Sequence, residues 1–192
     1  MDAALVTIYA EASGFLVAAV SLVPPARWDD PGLGSWSLLE LAGHADRGHT
    51  TVEDYLLRPQ PPEPKDSPYF SDEAIAARGR EAVAALGEDP VATIAATAAR
   101  VQELVASTPL DAPLGSPVAT MTLGDYLPSR VAELTIHGLD VVRALGAALP
   151  APKAPLAESL AFVAVRAARR DGEHVLLALS GRERLAAGYS VF

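Results

Sequence analysis

The chain has 192 residues and a mass of 20.0 kDa, enough for one domain that buries most of its apolar surface without disulfide support. It holds no cysteine, which excludes cysteine-ligated zinc, iron–sulfur clusters and a protein thiol nucleophile, so any metal must rest on His, Asp or Glu. A net charge of −9 and a pI near 4.8 argue against nucleic-acid binding through phosphates, and 50% hydrophobic against 20% charged residues argues against disorder.

Proline-rich breaks at 59–68, 109–117 and 150–155 divide the chain, because prolines at that density cannot sit inside helices. The first helix is expected over residues 2–22, apolar on most sides and therefore well buried. A loop with Trp28, Gly32, Gly34 and Trp36 follows. Ser37 fits an N-cap, and Glu40 three residues on completes a capping box for a second helix reaching Leu57. A third helix starts at the Ser71-Asp72 cap and ends near Gly87. Asp89-Pro90 opens a fourth, with Pro at the first helical position, running to Ser107. Thr122 and Asp125 form another cap pair for a helix to Leu145, with Gly146 as its stop. A sixth helix fits 156–170 and a short seventh 173–179, stopped by Gly181. Residues 175–179 alone are too few for periodicity to separate helix from strand. The strand–helix alternation of an α/β fold is missing. The expected fold class is therefore all-α: a helical bundle over 1–149, then a short extension of helices and tail over 150–192, not a full second domain.

On a helical wheel, Leu123, Leu127, Val131, Leu134, Val141, Val142 and Leu145 share one broad face of the fifth helix. Its main polar stripe is Arg130, Glu133, His137 and Asp140. Glu133 and His137, one turn apart, can reach a single metal ion, each at ~2.0–2.2 Å for zinc. By spacing alone the favoured reading is a stripe that faces solvent, since such pairs are common surface features. In the second helix, His44 lies at one edge of the apolar face formed by Leu38, Leu41, Ala42, Ala45, Val52 and Leu56, and His49 lies near the other. Gly48, one turn after His44, adds no bulk and could leave room for a ligand. Taken alone, each histidine fits a hydrogen-bonded boundary residue better than a metal ligand. His174, after Asp171-Gly172, reads as exposed. His44 with Glu133 and His137 would make a His₂Glu set from two helices. That set leaves a coordination position open, as catalytic zinc sites do.

Residues 34–44, GSWSLLELAGH, and 130–140, RVAELTIHGLD, carry a family resemblance. The first is similar to the Trp-then-helix-then-His signature of the mycothiol-dependent maleylpyruvate isomerase N-terminal family. The second resembles its R-x-x-E-x-x-x-H-G-x-D signature. The tail 181–192, GRERLAAGYSVF, is similar to the ending of many short members. The resemblance implies a DinB-like four-helix metal-binding bundle with a metal triad at His44, Glu133 and His137. It makes Arg130 and Asp140 candidate catalytic residues. Arg130 could bind a carboxylate of substrate or thiol, and Asp140 could orient His137. The alternative for both is a salt bridge within the helix. His49 matches no ligand position.

The resemblance also implies chemistry. A divalent metal, with zinc as the default although nickel, iron or manganese suit the same ligands, would activate the thiol of mycothiol as a thiolate. The thiolate would attack a small electrophile, giving isomerisation or a thiol conjugate. The isomerase resembles a two-domain protein, whereas about 40 residues follow the last proline break here. A general mycothiol-dependent transferase is therefore expected over maleylpyruvate isomerisation. The alternatives are a non-catalytic bundle that binds metal or a small ligand, an interaction module with a solvated polar stripe, and a zinc hydrolase. Arginine outnumbers lysine 13 to 2, a bias of GC-rich bacterial genomes, and an actinobacterial source is expected. Asp2 and the lack of an early Lys or Arg differ from a signal peptide. The longest apolar stretch, 15–23, stops at Pro24-Pro25, too short to span a bilayer. The expectation is a cytoplasmic protein with a small electrophile and a low-molecular-weight thiol as partners, and neither nucleic acid nor membrane. Alanine-rich helices could pair two copies as a homodimer.

Overall fold

The computed structural model describes residues 2–191. In chain order the elements are α1 (Asp2–Val20), a 3-10 turn (Pro25–Arg27), α2 (Leu38–Leu57), a second 3-10 turn (Pro68–Phe70), α3 (Asp72–Ala85), α4 (Pro90–Ser107), β1 (Pro113–Gly115), β2 (Thr120–Thr122), α5 (Leu123–Leu145) and α6 (Lys153–Leu179). The chain is thus all-α apart from one small hairpin.

Both expected capping boxes form. Ser37 Oγ accepts from the Glu40 amide at 3.2 Å, and Glu40 Oε2 accepts from the Ser37 amide at 2.8 Å. Thr122 and Asp125 repeat the exchange at the start of α5. Each box satisfies donors that a helix start leaves open and is worth about 1 kcal/mol. Gly146 ends α5 at φ +64°, a left-handed conformation that costs glycine nothing. Asp89 caps α4 through the Ala92 amide, with Pro90 at its first position.

Four helices close a ring around the core. α1 packs on α5 and α4, and α2 packs on the same two from the other side. The order around the bundle is therefore α1, α4, α2, α5. Tyr9, Leu16, Leu38, Leu41, Ile94, Val101, Leu127, Leu134 and Val141 fill the space between them. α3 lies outside α2, and α6 packs on α5 and α1. α2 and α5 run antiparallel, since His44 faces Glu133 whereas Thr51 faces Tyr126.

Four details differ from expectation. First, residues 109–117 are not all loop. β1 pairs with β2 in the register Pro113↔Thr122, Leu114↔Met121 and Gly115↔Thr120, and buries Leu114 completely. Second, α6 joins the two expected C-terminal helices, with the expected break between them kept as non-helical backbone at Asp171 (φ −153°, ψ 45°). It starts three residues early because Pro155 sits in the first turn, where no amide donor is needed. Residues 175–179 are helical, not a strand. Third, Gly48 leaves no room for a ligand: a Cβ there would lie 2.7 Å from Cδ2 of Leu134, so the glycine lets α2 and α5 approach. Fourth, the apolar run of α1 spans Ala3–Val20 and is long enough to cross a membrane by length and composition alone. In the fold, Tyr9, Ala12, Phe15, Leu16, Ala19 and Val20 of that helix are buried in the core. In the tail, Arg170 Nη1 donates to the Val191 carbonyl at 3.2 Å, and Val191 is buried. Phe192, which ends the tail motif, lies outside the described residues.

Candidate metal centre

α2 presents His44 and α5 presents Glu133 and His137 across one inter-helix seam. The loop before α2 is held in place by bonds from the Leu38 amide to the Asp30 carbonyl and from the Leu39 amide to the Trp28 carbonyl. This fixes Trp36, whose ring lies 4.6 Å from that of His44. The His44 and His137 rings meet edge to face at 4.9 Å. Glu133 Oε2 stands between them, 3.3 Å from His137 Nε2 and 3.9 Å from His44 Nε2.

The three residues offer one ligand atom each, all within 4.8 Å of one another, and could hold one metal ion. Two donors on a tetrahedral ion at ~2.1 Å stand ~3.4 Å apart, near the 3.3 and 3.9 Å from Glu133 Oε2 to the two imidazole nitrogens. His and carboxylate donors also suit a divalent cation chemically. The stripe does not face open solvent. Glu133 is about one-third exposed and His137 only 14%.

The electrostatics divide the two histidines. Burial, the charge on His137 and the nearby Arg47 and Arg130 pull His44 down to about 4, against the attraction of Glu133. His44 is therefore neutral, with a lone pair to offer. Burial also works against a charged His137, but its hydrogen bonds to Asp140 and Glu133 prevail and raise it to about 9. Asp140 Oδ2 lies 3.1 Å from His137 Nδ1. For Glu133, burial favours the neutral acid, but the bond from His137 and the charges of Arg130 and the two histidines hold its pKa below the usual carboxylate value.

Arg130 makes no ion pair among the described residues, so the expected alternative of a salt bridge within the helix does not form for it. Its guanidinium stacks 4.7 Å over the Tyr126 ring, and Nη1 reaches Thr51 Oγ1 at 3.5 Å. Asp140 does contact a residue on its own helix, the triad's His137.

His49 stands apart from the triad. It is fully buried, with Nδ1 2.9 Å from Asp46 Oδ1 and Nε2 2.8 Å from Ser13 Oγ. Gln102 Nε2 donates to the same Ser13 oxygen at 2.8 Å. The hydroxyl of Ser13 thus bridges His49 and Gln102, while Asp46 holds the other ring nitrogen of His49. This network ties α1, α2 and α4 together. His174 bonds Glu183 at 2.7 Å in the tail.

A cavity of about 750 Å³ opens beside the triad between α2 and α3, and His44 forms part of its wall. Trp36, Ile75 and Val83 supply its apolar lining, and Arg47, Arg78 and Arg80 its positive groups. Arg47 was missed in the sequence, because its position between the apolar and polar faces of α2 carries no motif. A more open groove of about 570 Å³, between the start of α1 and Thr108–Asp111, shares no residue with the triad.

No curated protein and no solved structure matches the chain significantly. The sequence model of the mycothiol maleylpyruvate isomerase N-terminal domain, in contrast, matches residues 9–142, which include α2, most of α5 and all three triad residues. That match covers well over half of the chain, and the chain belongs to the mycothiol maleylpyruvate isomerase N-terminal domain family.

Proposed function

We propose that the protein is a metal-dependent transferase that joins mycothiol, or a closely similar low-molecular-weight thiol, to a small electrophile. The observation that carries this reading is the gathering of His44, Glu133 and His137 around one point beside a cavity, within a mycothiol-related family. A divalent cation held by these three residues, zinc being the default, would lower a thiol's pKa from ~8.5 so that it ionises at neutral pH.

The chain's own residues have separate tasks. His44 offers a neutral imidazole, and Glu133 contributes the negative charge that a dication needs. Asp140 holds Nδ1 of His137 and so aims Nε2 at the site. Trp36 covers one face of His44 and keeps water from that side. Arg130 supplies positive charge next to Glu133 and could receive an anionic group of the thiol or substrate. In transfer, the thiol's proton passes to solvent, a sulfur–carbon bond forms, and the leaving group departs with its bonding pair. In isomerisation, the thiol adds across a double bond, the resulting single bond rotates, and elimination returns the thiol. We place this chemistry in the cytoplasm, where such thiols are kept reduced, with no part for nucleic acid or membrane.

The test is the rate of mycothiol conjugation to monochlorobimane, read by fluorescence. The proposal expects a rate above the uncatalysed one that chelation and Glu133→Ala both abolish. Metal bound in stoichiometric amount with no such rate, for this and a panel of other electrophiles, would overturn it in favour of a non-catalytic binding bundle.

A further inference from the structure

Arg47 follows His44 by one turn of α2 and lines the cavity between α2 and α3. It is half-buried. Among the described residues it is the one partly buried arginine with neither an ion pair nor a side-chain hydrogen bond. Arg27 pairs with Asp30, Arg78 donates to the Tyr69 carbonyl, and Arg130 reaches the hydroxyls of Thr51 and Ser129. A guanidinium drawn partly out of water without a partner is costly, and an anion brought to it recovers that loss.

The rest of the wall agrees. Arg80 is exposed on the same cavity and adds positive charge. The two carboxylates there are otherwise engaged: Glu40 in its capping box, and Asp72 in the first turn of α3, where the helix dipole favours it. Trp36, Ile75 and Val83 offer apolar surface beside the charge. The cavity's volume of about 750 Å³ falls within the range of small-molecule sites.

We propose that this cavity binds a small organic carboxylate, its charge held by the Arg47 guanidinium and its apolar body lying against Trp36, Ile75 and Val83. The fork of Arg47 matches the two oxygens of a carboxylate. Because His44 shares the wall, the bound molecule lies next to the triad. Its identity as the electrophile rests on the thiol-transfer reading, but the anion site itself does not.

The experiment uses metal-free protein, so that no carboxylate can bind through a metal. Acetate, succinate and cinnamate are titrated calorimetrically, with cinnamamide as the uncharged match to cinnamate. The expected result is cinnamate binding that cinnamamide does not reproduce, weakened at least about tenfold in Arg47→Gln and partly retained in Arg47→Lys. Arg143→Gln, which removes the same charge from the exposed end of α5, leaves the affinity unchanged. Circular dichroism checks that each variant is folded, and the metal content of Arg47→Gln after reconstitution equals that of the wild type. Equal affinities for cinnamate and cinnamamide, equal affinities of wild type and Arg47→Gln, or no binding of any carboxylate at millimolar concentration would each overturn the proposal. A protein that binds no metal yet shows the Arg47-dependent affinity would overturn the transfer reading alone.

Discussion

Asp140 Oδ2 lies 3.1 Å from Nδ1 of His137, and this contact leaves Nε2 of the same ring facing Glu133 at 3.3 Å. The carboxylate thereby selects both the tautomer and the direction of a ring that would otherwise rotate. Outer partners of this kind are worth roughly 10–100-fold in metal affinity. Asp140→Asn is therefore expected to weaken zinc binding by about that factor, without loss of fold, in a competition titration with a chromogenic chelator. An unchanged affinity would remove Asp140 from the account.

The two histidines of the triad predict a pH dependence. With His44 held at about 4 and His137 at about 9, the metal-free site at neutral pH carries its imidazolium on His137. A metal must displace that proton, so binding strengthens about tenfold per pH unit from roughly 7 to 9 and releases close to ~1 proton. Calorimetry in buffers of different ionisation enthalpy reads the proton directly. The sign for stability without metal is opposite. His137 gains its partners on folding, so its contribution is complete below the unfolded pKa of ~6.5 and is lost as pH rises through about 9. The Tm of metal-free protein should fall over that window more than the Tm of a His137→Ala variant. Parallel curves would contradict the assignment.

Gly48 and Leu134 set the spacing on which the triad depends. Gly48→Ala places a Cβ 2.7 Å from Cδ2 and 2.9 Å from Cγ of a fully buried leucine. Overpacking of this kind costs about 1–3 kcal/mol, and the better helix propensity of alanine returns up to ~1 kcal/mol of it. Urea denaturation should show a net loss of about 1–2 kcal/mol, accompanied by weaker metal binding as α2 and α5 move apart. A stabilised variant would show that the seam is looser than described.

The buried chain Asp46–His49–Ser13–Gln102 predicts a contrast between histidines. His49→Ala leaves a nearly buried carboxylate and a buried hydroxyl without their partner and opens a cavity. The expected loss is roughly 3–5 kcal/mol. His44→Ala, at a half-buried position, should cost far less stability yet abolish metal binding. Chemical denaturation with metal analysis separates the two, and the reverse pattern would exchange their roles.

Much of this was legible in the residues because it is written locally. Ser37 with Glu40, Asp89 with Pro90, and Thr122 with Asp125 mark helix starts by side chains that bond within one turn. Gly146 likewise marks an end. The three triad residues were singled out by helical spacing on their own two helices and by the family signatures. What escaped depends on distant contacts. The β1–β2 hairpin has three-residue strands containing Pro113, too short for an alternating pattern. The start of α6 at Lys153, ahead of Pro155, has no capping side chain to mark it. His49 shares a helix with His44, and only the approach of Ser13 from α1 and Gln102 by way of it distinguishes its place. The place of Arg47 depends on α3, which forms the far wall of the cavity beside it. The space that Gly48 leaves is filled by Leu134 from across the seam, a contact with no local sequence signal.

The most direct test of the central claim is elemental analysis by mass spectrometry of untagged protein, alongside the Glu133→Ala/His137→Ala double variant. The account predicts about one divalent metal per chain in the wild type and none in the folded double variant. A wild type that takes up no metal even after reconstitution, or a double variant that retains it, would contradict the site proposed at His44, Glu133 and His137.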